Sequence, residues 1–144
     1  VLFRSITWIN HSANHKLNED KKGRLMFLTS SDTNIDSEIL EVESELLHRS
    51  QMPSIFFRFP GLVYDKSLLE NLKRMSLIAI DSDTWINKGQ NIHDGSIVLL
   101  HGNGNEHIGI IKFKDELYRI YPNDDAIVKN ILDLGKEIST SYCK

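Results

Sequence analysis

The segment His11-Ser12-Ala13-Asn14-His15 sets two imidazoles four residues apart. On a helical turn that spacing brings both rings to one side, where they can share one divalent ion such as Zn²⁺. It suits two surface or capping histidines equally well, because no H-E-x-x-H signature accompanies it and 6 histidines are scattered through the chain. Arg58 stands in Phe56-Phe57-Arg58-Phe59-Pro60, an apolar run. A guanidinium among such neighbours is tolerated when a carboxylate pairs with it, or when the strand is an exposed edge. Asp81 and Asp83, in Asp81-Ser82-Asp83-Thr84-Trp85, read as Asx-turn residues or as carboxylates that orient an imidazole. His101 closes Ile97-Val98-Leu99-Leu100 and reads as a core histidine or as a general acid or base.

Three further groups carry weaker chemistry. Asp32, Asn34, Asp36 and Glu43 occupy positions 1, 3, 5 and 12 of a Ca²⁺ loop, with Ile39 at position 8, but Ser37 stands where the sharp turn wants Gly. The same residues explain a helix start, with Asp36 as N-cap. The run Gly102-Asn103-Gly104-Asn105-Glu106-His107-Ile108-Gly109 fits neither G-x-G-x-x-G nor the Walker pattern and reads as a turn. Lys21, Lys22 and Arg24 lack interleaved aromatic residues and read as a solvated, charged loop over 16–24.

The elements that must position these groups alternate. Ser5 to Asn10 is β-branched and aromatic and predicts a short strand, ended by His11-Ser12. Ile39, Leu40, Val42, Leu46 and Leu47 fall near helical spacing and predict a helix over 36–50. Ser54 to Phe59 predicts a strand buried on both faces, stopped by Pro60-Gly61. Leu68, Leu69, Leu72 and Met75 predict a second amphipathic helix, and Leu77 to Ile80 a second buried strand. Ser96 to Leu100 is the clearest buried strand, and helical patterns follow around 107–120 and 125–138. Strands alternating with helices imply a parallel sheet covered by helices. His11, Arg58, Asp81 and His101 each stand where an apolar strand runs out, and in parallel α/β folds those carboxyl ends share a face on which sites are built.

Composition narrows the function classes. At 144 residues the chain is about one domain, read as a single unit over 1–144. With 17 Lys and Arg against 20 Asp and Glu the net charge is -3, which leaves no positive excess for a phosphate backbone, so nucleic acid is not expected as a partner. The single cysteine, Cys143, excludes a disulfide framework and a thiolate metal site. No apolar run approaches the roughly 18 residues of a membrane span.

Taken in order, the motifs resemble those of the polysaccharide deacetylase (NodB homology) family, the metal-dependent carbohydrate esterases. Asn10-His11-Ser12-Ala13-Asn14-His15 is similar to the family's N-H-[ST]-x-x-H segment, and Arg58-Phe59-Pro60 to its R-x-P segment. Asp81 to Trp85 is similar to its D-x-x-x-W segment, and Leu99-Leu100-His101 to its terminal L-x-H. The set spans roughly residues 5–110. Two departures stand out. The family's Asp-Asp pair, which supplies a base and a third metal ligand, has no counterpart, so the chain reads as a fragment lacking the first strand. Gly61 also follows Pro60 directly, where the family usually places an aromatic-Gly pair.

The resemblance implies a distorted (β/α) barrel, incomplete at the N-terminus, and hydrolysis of N-acetyl groups on a carbohydrate polymer. It assigns a divalent ion, zinc first, to His11 and His15. It makes His101 the acid that protonates the leaving amine, Asp81 its orienting carboxylate and Arg58 the partner of the base. Trp85, Leu99, Pro60 and Gly61 become substrate-binding residues. A fragment of this kind is expected to be inactive, and its open barrel edge invites dimerisation or strand swapping. The alternatives are a non-catalytic glycan-binding module on the same fold and a single-loop calcium-binding protein.

Overall fold

Asn34 starts the first helix: its side chain accepts a hydrogen bond from the Ser37 amide at 3.1 Å, which satisfies one of the open N–H groups of the first turn. Helix α1 then runs over Ile35–His48, with Asp36 and Glu38 in its first turn and His48 in its last, each sign matching the helix dipole. The cap therefore lies two residues before the expected Asp36. Both types cap well, and Asp36 is drawn instead to Arg74, whose guanidinium donates to it at 2.9 Å. Helix α2 covers Lys66–Arg74, capped by Asp65, which accepts from the Leu68 amide. The computed structural model describes residues 7–102, 104 and 108–122, and the chain divides into two compact units, Val1–Asp81 and Ser82–Lys144.

In the first unit, strand β1 (Phe56–Phe57) pairs in parallel with β2 (Ile78–Ala79), Phe56 opposite Ile78 and Phe57 opposite Ala79. On its other side β1 meets Asn10 in a parallel bridge: the Asn10 amide donates to the Phe56 carbonyl and the Arg58 amide to the Asn10 carbonyl, at 3.0 and 2.8 Å. Three parallel segments thus lie side by side with β1 in the middle. Phe57 and Phe59 pack with Ile39 of α1, Leu68 and Leu72 of α2 and Leu28, forming the core of this unit. The expected strand over 54–59 narrows to two residues, because Pro60 ends the ladder and enters a 3-10 turn over Pro60–Leu62. Leu77 to Ile80, expected to be buried, is not: Ile78 is 54% exposed and Ala79 is exposed too, while Leu77 packs against the edge of the core.

In the second unit, β3 (Thr84–Trp85) pairs in parallel with β4 (Val98–Leu99), Thr84 opposite Val98 and Trp85 opposite Leu99. A 3-10 turn follows over Ile86–Lys88 and ends at Gly89 in the left-handed region. Helix α3 (Gly109–Ile120) matches the pattern expected over 107–120 and packs on that turn. The run 96–100 is again less buried than its composition suggests, with Ile97 exposed and Val98 to Leu100 half-buried. The helical pattern around 125–138 lies outside the described residues. Among the described residues no helix is long and apolar enough to cross a membrane.

Candidate metal and catalytic site

Register places the first unit's candidates together. Asn10, Phe57 and Ala79 are successive parallel neighbours. His11 and Arg58 follow the first two directly, and Asp81 stands two residues beyond the third. All three therefore emerge at one end of the parallel segments, the carboxyl end, as the repeated polar strand endings suggest.

The histidine loop owes its shape to left-handed backbone rather than to the helical turn expected from the spacing. Ser12 and His15 have φ of 67° and 45°, a region that costs an L-residue about 1–2 kcal/mol. Such conformations persist where surrounding bonds over-determine them. The Ser12 hydroxyl accepts from the His15 amide at 3.1 Å and closes the loop. The two rings then meet edge to face with centroids 4.9 Å apart. His11 Nδ1 donates to the Arg58 carbonyl at 2.7 Å. In the neutral ring that bond puts the proton on Nδ1 and the lone pair on Nε2, the arrangement by which metal-binding histidines are commonly oriented. The two rings, one with its tautomer set, offer two nitrogen donors, fewer than the three protein ligands usual for a catalytic zinc. Among the described residues no group of three His, Cys, Asp or Glu side chains is placed to hold one.

Helix α1 anchors both halves of the loop. Asn10, buried, donates from Nδ2 to the Ile39 carbonyl at 3.1 Å and to Glu43 at 2.8 Å, while its Oδ1 accepts from the Ser12 amide. Glu38, also buried, accepts from the Asn14 amide and from Asn14 Nδ2, both at 2.9 Å, and its carbonyl accepts from the Ala13 amide. The carboxylates that suggested a calcium loop are thus part of a helix and its attachments: Asn34 caps, Asp36 meets Arg74 and Glu43 receives Asn10. Glu38, Asn14 and Asn10 are residues whose importance the spacing did not reveal. The signal available was the repeated Asn-His pair, Asn10-His11 and Asn14-His15.

Arg58 is half-buried. Burial lowers its guanidinium from the ordinary arginine range, and the charge of Asp81 opposes that shift. Gly61 has φ of 59° and lies so close to Phe27 that a Cβ there would fall 2.2 Å from the ring edge. Phe27 in turn meets the His15 ring edge to face at 5.5 Å. Gly61 therefore meets the histidine loop through Phe27.

The second unit holds Trp85, Leu99 and His101. Trp85 and Leu99 are register partners, and the His101 ring lies 5.7 Å from the Trp85 indole. Lys88 Nζ sits 3.7 Å from the Trp85 ring centroid, a cation–π contact. The aromatic wall and the imidazole expected to act on a substrate thus lie side by side within this unit. Compared with models of known protein families and with solved structures, the chain matches none.

Proposed function

We propose that this chain belongs to a metal-dependent hydrolase that removes N-acetyl groups from a carbohydrate polymer, on a (β/α) barrel of the polysaccharide deacetylase type. The observation that carries the reading is the oriented histidine pair, emerging at the same strand end as Arg58 and Asp81. His11 and His15 would hold the ion. When bound, a divalent ion, Zn²⁺ in this reading, polarises an acetyl carbonyl and lowers the pKa of a water molecule. Arg58 balances acidic groups at the strand ends, Asp81 among them. His101 delivers a proton to the departing amine, and an imidazole is suited to that task near neutral pH. Trp85 and Leu99 offer an apolar surface to the sugar and the acetyl methyl.

The test is His101→Ala, assayed for acetate release from an N-acetylated glycan per folded molecule. Loss of a general acid lowers kcat by roughly 10²–10⁴-fold with little change in KM. Unchanged turnover in the folded variant, or no metal-dependent acetate release from the unaltered protein, overturns the hydrolase reading and leaves a glycan-binding module on the same fold.

A further inference from the structure

Each histidine of the pair follows an asparagine, and each asparagine is tied to the same helix. Asn10 reaches Ile39 and Glu43, and Asn14 reaches Glu38 through both its amide and its side chain. The second attachment is the more telling. Glu38 is 3% exposed, and a carboxylate is seldom buried to that extent without partners. Its two oxygens are given to one residue, Asn14, and its carbonyl to Ala13, so three bonds from one helical position hold the two residues before His15. A helix-stabilising acid in the first turn needs none of this, because Asp36, only half-buried, answers the dipole equally well.

We infer that Glu38 is a positioning residue for the histidine pair: through Asn14 it holds His15 in its left-handed conformation, so that the His15 ring faces His11, and thereby sets the affinity for a divalent cation. This rests on the metal-binding part of the proposed function. The role is that of an outer-shell partner, which acts on ligand orientation without touching the ion. Asn14 is the adaptor, with its backbone amide and its carboxamide presented to opposite oxygens of one carboxylate.

The experiment compares the unaltered protein with Asn14→Ala, Glu38→Gln and, as a control, Glu45→Gln on the exposed side of α1, where Glu45 pairs with Arg49. Asn14 is exposed, so its truncation leaves the core intact, whereas Glu38→Gln tests the carboxylate itself. Two readouts are taken: the nuclear Overhauser contact between the His11 and His15 ring protons, without metal, and the binding of zinc alone by calorimetry. Asn14→Ala and Glu38→Gln are expected to lose the ring contact and to bind zinc ~10–100-fold more weakly, the range for outer-shell substitutions. Glu45→Gln is expected to match the unaltered protein in both. If the two variants keep the ring contact and bind zinc within about 2-fold of the unaltered protein, whatever happens to their melting temperature, Glu38 is a structural residue and the inference is overturned. If the unaltered protein shows the ring contact but binds no zinc, while the contact is lost in Asn14→Ala, positioning by Glu38 stands and the metal reading falls.

Discussion

Both units are built on a two-residue parallel pair, yet they treat their side chains differently. In the first, Phe57, Ile39 and Leu72 are almost wholly enclosed, because α1 and α2 close over one face of β1. In the second, Ile86 is the buried apolar side chain among the described residues, and the strand residues Val98 and Leu99 stay half-buried. The difference bears on chemistry. Water is excluded at Asn10 and Glu38 themselves, so their hydrogen bonds are strong and specific, and leaving either unpaired is costly. A loop carrying strained residues can be held in one shape there. In the second unit Trp85 is covered by the flexible Lys88 rather than by a core, and its neighbourhood is correspondingly adaptable.

The largest effect is expected from removing the enclosed ring. Phe57→Ala should destabilise the first unit by about 3–5 kcal/mol, through lost burial and the cavity left behind. Amide hydrogen exchange sharpens the comparison, since protection follows local stability. The Arg58 and Ile80 amides, bonded to Asn10 and Phe57, should exchange more slowly than the Thr84 amide, bonded to Ile97. Equal protection of Thr84 and Ile80 would break the contrast between the units.

A smaller effect is expected at Gly61. An added methyl in Gly61→Ala meets the Phe27 ring and also strains a left-handed residue, so overpacking of about 1–3 kcal/mol follows. Relief comes by pushing Phe27 toward His15. Thermal unfolding should register the first consequence, and a changed His15 ring environment by NMR the second. An unperturbed His15 signal in a destabilised variant would separate the glycine from the histidine loop.

Helices α1, α2 and α3 were legible because apolar spacing and end charges survive any packing arrangement. Strands β1, β2 and β4 were legible as apolar runs, whereas β3 lay hidden in a segment that reads as a turn, and the burial of none of the exposed strand residues was legible. Ile78 and Ile97 have the composition of two-sided burial, and which faces are covered depends on where helices fall, a matter no single strand encodes. The helix start at Asn34 was misplaced to Asp36 because the two types cap alike, and tertiary pairing with Arg74 decided between them. His11 and His15 were found from spacing, although a helical turn was the wrong reason: Ser12 and His15 adopt backbone angles that favour glycine, which their side chains do not advertise. Glu38 was hidden in plain sight as one acid among several, since burial alone separates it from Asp36. Arg58 was legible as a cation at the end of an apolar strand, and the place of β1 between two parallel neighbours removes the edge-strand alternative.

The smallest effect concerns Asp20, in a segment whose charges suggested only a solvated loop. The segment is an ordered turn: Glu19 and Leu25 form an antiparallel bridge, and the Asp20 carboxylate accepts from the Lys22 and Arg24 amides and from Arg24 Nε. Hydrogen bonding by the Arg24 amide, then by its side chain, holds the Asp20 carboxyl below the ordinary aspartate range. A depressed folded-state value gives the sign. The turn's stabilisation is fully present above the aspartate value of the unfolded chain, and it is lost as pH falls through the lower folded value. The carboxyl carbon of Asp20 should therefore titrate below an unpaired aspartate, and the Lys22 and Arg24 amide signals should move with the same midpoint. Asp20→Asn removes that shared titration while retaining one acceptor oxygen. A midpoint at the ordinary aspartate value, or amide signals that ignore it, would show that the carboxylate does not organise the turn and would return the segment to the loop its composition suggested.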